Sequence, residues 1–257
     1  MRSVLIITVL AVVLSFAVVP PPTHVLVRYD NNFTQLQNII TALTALGWPH
    51  TDFIGQTFPA FWTALNDGTV WNFVIMDDLY YRDVTVSNYN QLTTYGTAHP
   101  DCRIMFADWY MQNYSSIWSF FDVNGCTNIT STVPPAYVWI PSSPCFSGLT
   151  PPPVGTNPGL GTVGHRLGWV AAKSTSDVPL GWVATSTAGQ ACWVFARLQG
   201  SETWRRPRSL MMGFSMGMNS ANGSAYYQNM LQYMWQEEAP NPRVEASSLG
   251  NVKALYR

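Results

Sequence analysis

Behind an apolar leader, the chain alternates between two hydrophobic periods. His24 to Asp30 carries the strand-like segment Val25-Leu-Val-Arg-Tyr29, apolar apart from Arg28. Leu36, Ile39, Ile40, Leu43 and Leu46 then recur at helical spacing and stop at Gly47, with Pro49 just beyond. A weaker strand, His50 to Ile54, leads to a second helix that Thr57 caps and Phe58, Phe61, Trp62 and Leu65 stripe. Strands over Trp71 to Met76 and Arg103 to Ala107 continue the alternation. Helices around Asn88 to Tyr95 and through Tyr114, Ile117, Trp118 and Phe121 follow them. Strand and helix in turn, with short connections, predict βαβ units and a mainly parallel sheet. The aromatic stripes read as core, because a helix packed on a sheet needs them there.

The pattern changes over residues 131–168. Eight prolines from Pro134 to Pro158 exclude helix interiors and central strands, so this reads as a long crossover loop with one short strand, Tyr137 to Ile140. Strands over Trp169 to Lys173, Trp182 to Thr185, Ala191 to Arg197 and Leu210 to Ser215 follow. Tyr227, Met230, Leu231 and Met234 stripe a last helix, and residues 236–257 form a polar tail. The expected architecture is α/β, a three-layer domain over residues 18–235 with a mainly parallel central sheet and a C-terminal β-rich extension.

The leader sets the expected compartment. Met1-Arg-Ser, an apolar run from Val4 to Phe16 and small residues about Ala17 predict a signal peptide over residues 1–17, too short to span a bilayer and stopped by Pro20-Pro-Pro22. No stable membrane insertion is expected after its cleavage. Four sequons at Asn32, Asn113, Asn128 and Asn222 add to a secreted or lumenal glycoprotein reading. In that compartment the four cysteines would form two disulfides, with three pairings open. Cys126 with Cys145 is favoured, since the segment between them has no helix to stabilise it, and Cys102 with Cys192 follows. The cysteines are too widely spaced for a structural zinc site. Losing Arg2 with the leader leaves 12 basic against 14 acidic residues, a net charge of −2, and no basic stripe for nucleic acid.

Two motifs match enzymes by letters alone. Gly213-Phe-Ser215-Met-Gly217 follows a predicted strand, as a nucleophile elbow does, but all four histidines precede Ser215, where a hydrolase triad of this kind places its histidine afterwards. Gly159-Leu-Gly161-Thr-Val-Gly164 lacks the preceding strand and following helix that a dinucleotide loop needs. His165 follows that loop and reads as a loop histidine. The cysteines sit in no strand-turn-helix elbow. The aspartates carry more: Asp30, Asp77, Asp78 and Asp108 fall at the carboxyl ends of three predicted strands, the edge where open parallel sheets bind ligands. Converging there, they could hold a divalent cation or divide into an acid and a base. Capping the helices that follow is the structural alternative. Trp109, Tyr80 and Tyr81 would add an aromatic rim suited to a sugar or peptide.

Val25-Leu-Val-Arg-Tyr-Asp-Asn31, Ala45-Leu-Gly-Trp48, Trp71-Asn-Phe-Val-Ile-Met-Asp-Asp78 and Arg103-Ile-Met-Phe-Ala-Asp-Trp109 together resemble the class I glutamine amidotransferase-like, flavodoxin-like superfamily over residues 24–235. The resemblance implies a flavodoxin-like fold. Its catalytic elbow would carry a cysteine where this chain has Asp77 or Asp108, so it also implies an extracellular member without the triad. The expectation is a non-catalytic domain that binds a carbohydrate or protein ligand through the aspartate edge and the overhanging Pro/Gly loop, without a required cofactor. The alternatives are a hydrolase using Ser215 or a metal-bearing aspartate cluster, and a structural surface or coat glycoprotein.

Overall fold

A computed structural model describes residues 19–29, 37–55, 58–78, 86–108, 111–129, 137–149, 167–172, 177–184, 190–196, 207–213 and 223–235. The fold is α/β. Strands β1 (Val25–Tyr29), β2 (His50–Ile54), β3 (Phe73–Asp78), β4 (Arg103–Asp108), β5 (Val123–Ile129), β6 (Tyr137–Val138), β7 (Leu167–Ala172), β8 (Asp177–Gly181), β9 (Ala191–Ala196) and β10 (Ser209–Met212) join one mixed sheet. Its main path runs β2-β1-β3-β4-β10-β9-β7-β5, with β8 and then β6 attached beside β9. The first five strands along the path are parallel; β9, β7 and β5 continue antiparallel. The parallel half, with its strand order reversing between β1 and β3, is compatible with a flavodoxin-like fold. The antiparallel extension expected towards the C-terminus is present.

Strand alternation divides the core into two layers. Val25, Val27 and Tyr29 face helices α1 (Asn38–Ala45) and α5 (Gly223–Trp235), together with Ile75, Met105, Trp193, Met230 and Met234. Leu26, Val74, Met76, Ile104 and Phe106 face α2 (Phe58–Leu65), α3 (Val86–Ala98) and α4 (Ser115–Trp118). Both faces of the central strands are therefore buried, which is why their sequences are apolar runs rather than alternations. Gly96 lets α3 pack closely within its layer: a Cβ there would lie 2.5 Å from Phe120 and 2.7 Å from Ile104. Two arginines tie helix ends to the sheet. Arg103 Nε donates to Met234 O at 3.2 Å, at the end of α5. Arg208 Nη2 donates to Gly96 O at 3.0 Å while its guanidinium lies 3.9 Å from the Phe120 ring centroid.

Three expectations are corrected. Of the strand expected over Trp182 to Thr185, the described residues 182–184 are bends, and β8 lies just before them. Pro179 within β8 hides the strand in the sequence, and pairing with β9 is irregular around it. Strand β5 is unforeseen, because Asn124-Gly125 reads as a turn; the structure absorbs it as a register shift between Val123 and Gly125. The third concerns the cysteines, all four of which are free. Cys145 and Cys192 lie in the α1/α5 layer; Cys102 lies in the α2/α3 layer, and Cys126 packs against it. Each expected pair is thus split across the sheet, beyond the reach of a disulfide. Burial instead pushes the Cys102, Cys126 and Cys145 thiols up to about 12, and the Cys192 thiol well above its ordinary range. Thiolate chemistry at neutral pH is thereby suppressed.

Candidate functional site

The site is built from the carboxyl ends of β1, β3, β4 and β10. Parallel pairing sets these ends side by side, and the register places Tyr29 beside Asp77 and Asp78 beside Asp108. The helix that follows β1, α1, packs on one face of the sheet and the helix that follows β3, α3, on the other, and open sheets bind ligands at such a reversal of strand order.

Asp77 and Asp108 occupy this edge without forming a pair. Asp77 follows Phe73 and Ile75 onto the α1/α5 face, where it is 3 % exposed and accepts a hydrogen bond from the Tyr227 hydroxyl of α5. Asp108 follows Ile104 and Phe106 onto the other face, where it is 2 % exposed and accepts from the Tyr89 hydroxyl of α3 at 2.9 Å. Tyr89 stacks on Tyr114, their ring centroids 4.0 Å apart, and meets Trp62 and Phe106 edge-on, so its hydroxyl is aimed by packing on three sides. A buried carboxyl group needs donors, and a tyrosine in a helix stripe brings one with its apolar ring.

The edge carries two further polar groups. Arg28 is fully buried on the α2/α3 face, with Nη2 donating to Gly55 O at 3.2 Å and its guanidinium 3.3 Å from the Phe58 ring centroid. The Tyr29 hydroxyl lies 3.5 Å from Asp52 Oδ2, and burial, then the Asp52 charge, raises its pKa.

Asp30, Trp109, Tyr80, Tyr81, His165 and Ser215 lie outside the described residues, as do Asn32, Asn222 and the 159–164 glycine run. Asp78 closes β3. Of the sequons, Asn113 is exposed in a short 3-10 turn and Asn128 lies in β5. Gly213 follows β10 and its N–H meets Cys192 O, while α5 begins only at Gly223. No three potential metal-ligating side chains come together among the described residues. No helix among them is long and apolar enough to cross a membrane.

Sequence reasoning found the aspartates but missed Tyr89, Tyr227 and Arg28. Tyr227 reads as part of an apolar stripe and Tyr89 falls inside the helix expected around Asn88 to Tyr95 without being singled out; the hydroxyl of a core tyrosine, which needs a polar partner, was the available signal. Arg28 interrupts an otherwise apolar strand, which was the available signal for a buried cation. The chain matches no family profile against which it was compared, and no curated protein shows significant sequence similarity to it.

Proposed function

We propose that the protein is a secreted, non-catalytic recognition domain whose carbohydrate or protein ligand seats at the carboxyl edge of its parallel strands. The observation that carries this reading is the placement of Asp77 and Asp108 on opposite faces, each buried and bonded to a tyrosine. Carboxyl groups separated by a sheet do not share one cation, and they do not divide into acid and base by mutual repulsion. They serve the scaffold: they hold strand ends and helices in register beneath the edge. Ligand contact would then fall to Asp30, Asp78 and Trp109, which close or follow β1, β3 and β4 in the sequence, at the strand ends where open parallel sheets bind ligands.

The test is binding of the purified secreted protein to an array of immobilised glycans and secreted proteins. The array is run with wild type, with Asp30→Ala/Trp109→Ala, and with Ser215→Ala. Specific binding lost in the rim variant and kept in Ser215→Ala is the expected result. Fluorophosphonate labelling of wild type that disappears in Ser215→Ala would overturn the reading in favour of a serine hydrolase.

A further inference from the structure

At the opposite, amino edge of the sheet lies a cleft of about 400 Å³, whose lining includes His24, His50, Thr51, Asp67, Thr69 and Trp71. Its volume falls within the range of small-molecule sites. The hydrogen bonds around it settle where the imidazole protons are. Asn72 Oδ1 accepts from the backbone N–H groups of Thr23 at 2.8 Å and His24 at 3.0 Å, which fixes the orientation of that amide. The same oxygen accepts the Thr23 hydroxyl proton at 3.0 Å. A threonine hydroxyl has one proton to give, so the 3.2 Å contact between Thr23 Oγ1 and His24 Nδ1 is donated by the ring.

At His50, Nδ1 lies 3.0 Å from Trp48 O, and a carbonyl only accepts, so Nδ1 donates again. Each neutral imidazole therefore carries its proton on Nδ1, and each is left with an acceptor lone pair at Nε2. The third acceptor is Asp67. One of its oxygens takes the Thr69 N–H at 2.8 Å, and that bond, with the Thr69 side chain, holds the carboxyl below its usual range.

These three side chains do not gather closely enough to ligate one metal ion. What complements three separated acceptors is a compact molecule with several hydroxyl donors spread around it; Thr51 can either donate or accept, the Thr69 hydroxyl, whose proton goes to Asp67, can accept, and the Trp71 indole adds an apolar wall. We propose that this cleft binds a single pyranose sugar residue, whose hydroxyls donate to Nε2 of His24, Nε2 of His50 and the Asp67 carboxylate. The proposal does not rest on the recognition role of the carboxyl edge, which lies at the other end of the same strands.

Long-range proton–nitrogen spectra of the histidine rings read both the tautomers and the ligand. The probes are methyl glycosides of common hexopyranoses and N-acetylhexosamines, titrated to tens of millimolar. His24 and His50 are expected as Nδ1–H tautomers, their Nε2 resonances shifting together and saturably with at least one glycoside. Asp67→Asn and His50→Gln are each expected to weaken that binding about five-fold, the worth of one hydrogen bond. Thr51→Val, which leaves both rings in place, is expected to weaken it about two- to five-fold on the same scale. Asp30→Ala/Trp109→Ala is expected to leave the titration unchanged, so the cleft and the carboxyl edge can fail separately. An immobilised glycan ending in the same sugar captures the protein if a chain terminus is the ligand, whereas binding of the free glycoside alone marks a soluble sugar. An Nε2–H tautomer at either ring, or no saturable shift with any glycoside, overturns the proposal.

Discussion

The two edges of the parallel sheet hold similar chemistry under different burial. At the carboxyl edge, Asp77 and Asp108 are sealed in opposite layers and joined to Tyr227 and Tyr89. At the amino edge, His24 and Asp67 are exposed and His50 is half-buried, with their hydrogen bonds to backbone and threonine leaving part of each group directed elsewhere. Burial obliges a polar group to spend its hydrogen bonds inside the fold, and exposure leaves some of them for a ligand. A strand-end aspartate is therefore not a site residue by position alone; how deeply the helices cover it decides.

Breaking the tyrosine bonds is the strongest test of that contrast. Tyr227→Phe and Tyr89→Phe are each expected to cost about 2 kcal/mol, the scale of a buried hydrogen bond to a charged group, measured by urea unfolding. Because the two bonds lie on opposite faces and share no partner in these contacts, the double variant should lose about the sum, about 4 kcal/mol. A double variant no worse than either single would show that the two tyrosines act as one network and that the layers are not independent.

The thiols extend the comparison to the deep core. A folded thiol with its pKa raised to about 12 stays protonated where an unfolded one, near 9, ionises. The stabilising contribution is therefore complete below pH 9 and is lost as pH rises from there towards 12. Thermal unfolding followed from pH 7 to pH 10.5 should show Tm falling on the alkaline side. The slope should be shallower in Cys145→Ala, measured against that variant's own value at pH 7. An unchanged slope would mean that Cys145 does not contribute to the alkaline loss.

Smaller effects belong to the open edge. His50→Gln is expected to change unfolding free energy by no more than about 0.5 kcal/mol, as surface substitutions do, and Asp67→Asn to leave the stability at neutral pH nearly unchanged, while each weakens glycoside binding about five-fold. If either destabilised the fold on the scale of Tyr227→Phe, the amino edge would be scaffold as well, and the contrast between the edges would vanish. The smallest effect is the acid limb of Asp67. Its folded carboxyl lies below the ordinary range, so its contribution is present above the unfolded value and fades as pH falls through the folded one. Asp67→Asn should flatten that limb of the stability profile, and an identical acid limb would remove the Thr69 bond as its cause.

Much of the parallel half was legible because local and global preferences agree there. The strands β1, β3 and β4 are mostly apolar runs, broken within by Arg28 alone and charged otherwise only at their ends, and the stripes of α1, α2 and α5 repeat at helical spacing. The antiparallel extension was less legible. Asn124-Gly125 in β5 and Pro179 in β8 carry turn chemistry that tertiary pairing overrides with shifts of register. Of the site, the sequence marked the aspartates at strand ends, since strand length and polarity are local properties.

The amino-acid sequence by itself determined the alternation of strand and helix, the parallel sheet that alternation implies, and which residues stand at its ends. Only the tertiary structure decided which layer each of those residues enters. Side chains one position apart on a strand leave through opposite faces, so a one-residue difference places Asp77 under Tyr227 and, one strand over, Asp108 under Tyr89. The same alternation, together with helices that wrap both faces, set Cys126 apart from Cys145 and Cys102 apart from Cys192. Spacing along the chain carries no record of which helix will cover which face, and that covering separates a buried scaffold carboxyl from an exposed ligand group.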